Sequence, residues 1–392
     1  MYDEAITFII GTRPNFMKAY PVYLALKDNF KVNIIHTGQH HDDKMSQSIL
    51  QQLGFPIPDI LFKLNSKTKS GILDEKLYIN NREYLSDISK VIDDLCILDG
   101  SQLGQFGEIR DKILVELKKI RPRLVMVFGD VTSTLAGAIA SYKENIKIAH
   151  VESGLRSFDL SMPEEVNRIV TDHITSYYFV TETSGIENLE RENLGNEQNR
   201  FLIGNTMIDS LFMFKENIEK ISYNEKLGLQ KGVYVLITLH RPGNVDNLEK
   251  LEEITKQIID LSKKYLIVFP IHPRTKNHFE KLNITLNENI KLLNPLPYME
   301  FVSLTRNAKF VITDSGGIQE ETSAMGVPCF TLRPNTERPS TLIKNGGTNE
   351  LINSIEDIKK IEVFESLLNT YKPINYKINI ILKTILQRNL SS

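Results

Sequence analysis

The sequence predicts an α/β protein built as two doubly wound halves, each a parallel sheet flanked by helices. Three observations predict it. Short β-rich apolar runs alternate with longer amphipathic stretches from residue 5 to residue 332. Most runs are continuously apolar rather than alternating, as strands buried on both faces require. Beyond most of them stand polar or glycine-rich residues, where open α/β sheets bind ligands.

In chain order, strands are expected at 5–10, 32–36, 123–128, 147–151 and 177–181 in the first half. In the second half they are expected at 200–203, 233–238, 265–270, 290–293, 310–313 and 328–332. Crossover helices fit between them, for example at 14–27, 134–143 and 248–263. The polar stretch 183–199 reads as the break. It gives a first domain over 1–182 and a second over 183–375.

Composition narrows the function classes. Of 392 residues, 47 are Lys or Arg and 49 are Asp or Glu, so the formal charge of −2 excludes broad electrostatic capture of nucleic acid. No apolar run approaches the ~20 residues of a membrane span. The acidic start, Met1-Tyr2-Asp3-Glu4, leads straight into a strand, so no signal peptide is expected. Two cysteines are too few for a disulfide framework or a structural zinc cluster. A cytoplasmic globular protein is the expectation.

The strand ends carry the chemistry. Ser315-Gly316-Gly317 opens a helix and would present backbone N–H groups and a positive dipole end to an anion. It is neither a P-loop nor a dinucleotide fingerprint. An acid at Glu321, further along that helix, suits ribose hydroxyls. Gly11-Thr12-Arg13-Pro14 is a second strand–turn–helix junction, from which Arg13 and Lys18 would reach a diphosphate. Asp130 and Glu152 end strands, and Glu164 follows Pro163 at a helix start; carboxylates so placed serve as proton donors or acceptors or as helix caps. His240 follows a strand and precedes Arg241-Pro242-Gly243, a position for binding phosphate or shuttling protons. His150 and His173, within an apolar strand and a helix, read as structural. Arg333 and Arg338 flank Glu337, either as cleft cations or as a structural Arg–Glu pair. His40-His41-Asp42-Asp43 lacks the partner spacing of a metal site, so no metal is expected.

Taken together, these residues resemble a known family. Its marks are Gly11-Thr12-Arg13-Pro14, Gly129-Asp130, His150-Val151-Glu152-Ser153-Gly154-Leu155-Arg156-Ser157 and Pro163-Glu164-Glu165-Val166-Asn167-Arg168. Gly204-Asn205, Leu239-His240-Arg241, Asp314 through Glu321 and Thr336-Glu337-Arg338-Pro339 complete them. In this order the chain resembles the non-hydrolysing UDP-N-acetylglucosamine 2-epimerases over most of residues 5–350. The resemblance implies a GT-B fold, two Rossmann-like domains facing a central cleft. It implies interconversion of UDP-GlcNAc and UDP-ManNAc by elimination of UDP to 2-acetamidoglucal and re-addition, with no cofactor. Asp130, Glu152 and Glu164 become the catalytic carboxylates, with Asp130 handling the C2 proton, and His240 stands beside the diphosphate. Arg13, Lys18, Ser315, Gly316, Gly317 and Arg338 would bind phosphates or sugar, Phe301 the uracil and Glu321 the ribose. A homodimer is also implied.

Departures from the family pattern are expected at 65–100, which looks inserted. There Leu85, Ile88, Val91, Ile92, Leu95 and Leu98 share one helical face, either packed locally or contacting a second subunit. Tyr371-Lys372-Pro373-Ile374-Asn375 replaces a glycine-rich turn. A terminal helix over about 376–392 should pack back onto the first domain. Gln39, His40 and His272 match an activating second UDP-GlcNAc site in part. The competing readings are a hydrolysing epimerase, an epimerase of 6-deoxy or uronate UDP-sugars, a GT-B glycosyltransferase and a silent UDP-sugar-binding protein. Pro14, where the hydrolysing type carries Ala, counts against the first of these.

Overall fold

A computed structural model describes residues 3–39, 50, 52, 54–64, 85–271, 273–282 and 284–360. The chain divides into two compact units, one running through Ser210 and the next beginning at Leu211. Each holds one parallel sheet.

In the first unit seven strands lie in the order β3-β2-β1-β4-β5-β6-β7. They are β1 (Asp3–Ile10), β2 (Val32–His36), β3 (Ile60–Leu61), β4 (Pro122–Phe128), β5 (Lys147–Val151), β6 (Tyr177–Val180) and β7 (Arg200–Leu202). The winding reverses between β1 and β4, which are paired from Ile6↔Leu124 to Ile9↔Val127. Val125, Val127 and Phe128 are fully buried there, each contributing about 1.5–3 kcal/mol to the core. Helices α1 (Arg13–Leu26), α2 (Ile88–Ile97), α3 (Gly104–Ile120), α4 (Thr132–Lys143), α5 (Pro163–His173) and α6 (Thr183–Arg191) connect the strands. The small residues of α4, among them Ala136, Ala138 and Ala140, are wholly buried. They let this helix pack closely on the sheet.

The second unit repeats the plan with six strands in the order β10-β9-β8-β11-β12-β13. These are β8 (Tyr234–Thr238), β9 (Leu266–Pro270), β10 (Ile290–Leu293), β11 (Phe310–Thr313), β12 (Cys329–Leu332) and β13 (Asn349–Ile352). The reversal falls between β8 and β11, paired from Phe310↔Val235 to Thr313↔Thr238. Helix α7 (Thr206–Met213) spans the boundary, and α8 (Leu248–Ser262), α9 (Tyr298–Asn307) and α10 (Gly316–Met325) belong to the second unit.

The structure moves three expectations. The boundary is not at 182/183. β7 pairs with β6 through Tyr178↔Arg200, so residues 183–210 stay with the first unit. The polarity of 183–199 is that of a surface helix rather than a linker. Two short strands, β3 and β13, were not expected. Both are edge strands, exposed along one side, and lack the continuous apolar run of a central strand. The apolar face of α2 is spent within its own unit: Val91, Ile92 and Leu95 are buried in the core, with Leu85, Ile88 and Leu98 packed against it. Asp87 caps this helix through the Lys90 N–H at 3.1 Å. That face is not available to a second subunit. Residues 65–84 and the terminal helix expected over 376–392 lie outside the described residues. Among the described residues no helix is long and apolar enough to cross a membrane.

Candidate active site

Ligands of open α/β sheets bind beyond the strand ends where the winding reverses. In the first unit that point lies between the end of β1 and the end of β4. Asn15, in the first turn of α1, ties the two together. Its Oδ1 accepts from the Gly11 and Thr12 N–H groups at 3.1 Å each, and its Nδ2 donates to the Phe128 carbonyl at 2.8 Å. Pro14, which lacks an N–H, suits that first turn.

Just past β4, Gly129 adopts φ +67°. A Cβ here would stand 2.8 Å from Lys18 Nζ and 3.0 Å from Glu152 Oε2. Beside this glycine Lys18, from α1, and Glu152, from the end of β5, form a buried ion pair. Glu152 itself has φ +76°, a left-handed conformation that a non-glycine residue adopts at a cost. Arg168 of α5 holds it there by donating to the Glu152 carbonyl at 2.5 Å. The same guanidinium lies 3.9 Å from Glu152 Oε2 and bonds the Asp130 carboxylate. Asn167 adds a bond to the Asp130 carbonyl at 2.8 Å. Asp130 is therefore an arginine partner rather than the helix cap it also resembled. Glu164, half-buried in the first turn of α5, lies four residues before Arg168 and so shares its helix face.

Behind this array lies a second layer. Fully buried His150 places Nδ1 2.7 Å from Asp172 Oδ1 and Nε2 2.8 Å from the Gly129 carbonyl. Asp172 also accepts from Arg156 Nη1 at 2.8 Å and from the Gly154 N–H at 3.0 Å. Burial alone would push the Asp172 carboxyl up; Arg156 and His150 overcome this and hold it well below the usual carboxylate range. Neighbouring Glu165 is structural, accepting from the Ser157 and Phe158 N–H groups at 2.7 and 2.9 Å.

In the second unit His240, beyond β8, meets Asp314, beyond β11. His240 Nδ1 is 3.1 Å from Asp314 Oδ1, and the His240 and Arg241 N–H groups donate to the same carboxylate at 3.1 and 2.9 Å. Against the desolvation that would raise it, these bonds keep the Asp314 carboxyl below its ordinary value. A buried carboxylate thus orients a half-exposed imidazole. Ser315 precedes α10, whose own first turn carries no acid, so its N–H groups and dipole would favour an anion there. Gly316 lies against Arg338: a Cβ would come 2.5 Å from Nη1. Arg338 is buried, bonded to Glu337 and 2.9 Å from Glu320 Oε2 through Nε. Arg333 reaches Glu337 at 2.9 Å. The Arg–Glu pairing is thus real, and these arginines overcome burial to hold the Glu337 carboxyl well below its ordinary range. Gly317 is half-buried, Glu321 is buried within α10, and Phe301 of α9 packs partly against the core.

Within the first unit Lys18, Asp130 and Glu152 are thus gathered around Gly129, with Arg13 at the start of α1. His240, Ser315, Gly316 and Arg338 sit at or beside the second reversal point. Gln39 stands beside the end of β1: a Cβ on Gly11 would come 3.0 Å from its Oε1. Its Oε1 accepts from the Ser133 N–H at 2.9 Å and from Ser133 Oγ at 2.6 Å, bonding the start of α4. His40 and His272, its expected companions, lie outside the described residues. Asn15, Asp314 and the His150–Asp172 pair had been given no site role from sequence. A buried Asp and His each ending or following a strand would have been the available sign. Among the described residues no three His, Cys, Asp or Glu side chains form a group that could hold a metal ion.

Comparison with known proteins places this geometry. The family model of UDP-N-acetylglucosamine 2-epimerase matches residues 85–373. A UDP-N-acetylglucosamine 2-epimerase homolog of Methanococcus maripaludis is 39% identical over 381 residues, 95% of each chain. The chain belongs to the UDP-N-acetylglucosamine 2-epimerase family. Its fold matches the crystal structure of the Methanocaldococcus jannaschii UDP-GlcNAc 2-epimerase in complex with UDP-GlcNAc and UDP, with a TM-score of 0.79, 35% identity and 99% of each chain covered. The two α/β units are therefore those of the family's GT-B-like architecture. A further relative, the UDP-2,3-diacetamido-2,3-dideoxy-D-glucuronate 2-epimerase of Pseudomonas aeruginosa, is 33% identical over 359 residues, 90% of this chain and 89% of that one. The family match begins at residue 85, within the stretch 65–100 expected as an insertion, and so includes helix α2.

Proposed function

We propose that this protein is a non-hydrolysing 2-epimerase that interconverts UDP-GlcNAc and UDP-ManNAc. The observation that carries the reading is the pair of carboxylates, Asp130 and Glu152, held on one buried guanidinium beside Lys18. C2 of the hexose has no adjacent carbonyl, so its proton is not acidic enough for simple exchange. Elimination solves this. A base takes the C2 proton while the C1–O bond to UDP breaks, leaving 2-acetamidoglucal. UDP then adds back to C1 as C2 takes a proton on the opposite face. Inversion needs one group on each face of the ring, hence more than one carboxylate.

On this reading Asp130, the more exposed of the two, handles the C2 proton, and Glu152 or Glu164 serves the other face. Lys18, Arg13 and Arg168 offset negative charge. His240, oriented by Asp314, stands beside the diphosphate with Ser315, Gly316, Gly317 and Arg338; such preorganised donors are worth about 10²–10³ in rate each. Phe301 contacts the uracil and Glu321 the ribose. The proposal extends to a cytoplasmic homodimer, whose oligomeric state sedimentation measures.

A second reading, epimerisation of a uronate UDP-2-acetamido sugar, is favoured by the Pseudomonas aeruginosa relative. One experiment separates the readings: incubation with a panel of UDP-sugars in D₂O, followed by NMR. UDP-ManNAc carrying deuterium at C2 supports the first. Free ManNAc points to hydrolysis. Conversion of only the uronate sugar supports the second, and no conversion of any sugar removes both.

A further inference from the structure

We infer that His150 is a positioning residue which, anchored on Asp172, fixes the Gly129 carbonyl and so aims Asp130. This rests on the reading of Asp130 as the proton-handling carboxylate.

The ring is wholly buried at the end of β5, and both of its nitrogens face oxygen. The Gly129 carbonyl, 2.8 Å from Nε2, can only accept. The Asp172 oxygen, 2.7 Å from Nδ1, belongs to a carboxylate that already takes bonds from Arg156 and the Gly154 N–H, so it also accepts. The ring is thus held between two fixed oxygens, one of them on the main chain directly before Asp130. Arg156 in turn links Asp172 to Glu192, which it grips at 2.6 and 2.8 Å. Tyr178 completes the enclosure, its hydroxyl donating to the Asp172 carbonyl at 3.0 Å.

The consequence falls on the next residue. Gly129 sits at φ +67° with Lys18 and Glu152 against its Cα, and its N–H is tied to the Val151 carbonyl at 2.9 Å. The bond from His150 pins the opposite side of the same glycine. Asp130 follows directly and meets Arg168. Rotation of the Gly129–Asp130 peptide would swing the carboxylate, and a misplacement of about 1 Å can cost about 10² in rate. His150 touches no group proposed to bind nucleotide, so binding should not register its loss.

Turnover and structure test this. Folded His150→Gln should lose about 10²-fold in kcat while KM and the Kd for UDP stay at wild-type values, and its crystal structure should show the Gly129–Asp130 peptide turned from its wild-type orientation. If His150→Gln fails to fold, Asp172→Asn, which loosens the ring without emptying its place, should show the same kcat loss and the same turn. Wild-type kcat, or an unmoved Asp130, in the folded variant overturns the inference. If the wild-type protein converts no UDP-sugar, the functional reading fails, and the crystal structure of the variant still reports on Asp130.

Discussion

Lys18 and Glu152 form a buried ion pair across 134 residues of sequence, with side chains only 8% and 2% exposed. Gly129 lies beside the pair: a Cβ there would come 2.8 Å from Lys18 Nζ and 3.0 Å from Glu152 Oε2. A charge pair this deep offers little net stability, but its halves are costly to separate.

Lys18→Met or Glu152→Gln alone should therefore cost about 3–5 kcal/mol by urea unfolding. The double variant should cost clearly less than the sum, because no unpaired charge remains. Epimerase turnover should be lost in all three. Additive losses would show that the pair is not formed.

The two glycines at the reversal points should separate chemistry from binding. Gly129→Ala pushes a methyl to 2.8 Å from Lys18 Nζ in a left-handed conformation, so kcat should fall by at least about 10² with UDP affinity retained. Gly316→Ala displaces Arg338 and Glu337 instead, so calorimetry should record weakened UDP binding. The reverse pattern would contradict the assignment of nucleotide to the second unit.

Asp314→Asn keeps the shape but removes the anion that orients His240, and activity should fall about 10²-fold. Its stability profile has a definite sign. The folded carboxyl titrates below its unfolded value of 3.8. Its contribution is thus present above that pH and fades only as pH falls through the lower, folded value. The same holds for Asp172 and Glu337. Acid unfolding of Asp314→Asn should accordingly show a shallower dependence on pH below about 4 than the wild-type protein.

Asp209 on α7 behaves oppositely. Burial pushes its carboxyl up to about 6. Ionising it costs stability, absent below the unfolded value of 3.8 and fully felt above about 6. Asp209→Asn should thus gain up to about 3 kcal/mol at pH 7, with the gain shrinking to nothing near pH 3. Equal effects at both pH values would rule out titration as the cause.

The two-sheet plan was legible because its determinants are local. The buried strands read as apolar runs, and Pro14, Gly129 and Ser315 mark their turns wherever the rest of the chain lies. Asp130, Glu152 and His240 could be singled out for the same reason, each being polar where an apolar strand stops. The edge strands β3 and β13 escaped because one exposed side removes the apolar run that identifies a strand. The break at Ser210 escaped because the pairing of β7 with β6, not the polarity of the intervening chain, assigns that segment.

What each polar residue touches could not be read along the chain. Asp130 resembled a helix cap until Arg168, 38 residues on, took its carboxylate. Gln39, expected to share a second ligand site, bonds the start of α4 through Ser133, 94 residues on. His150 was read as merely structural, and Asp314 had no role until His240, 74 residues away, came against it. Composition and periodicity act over a few residues and select helices, strands and turns. Ion pairs between distant strand ends depend on register and crossover, which come into being only when the sheet assembles.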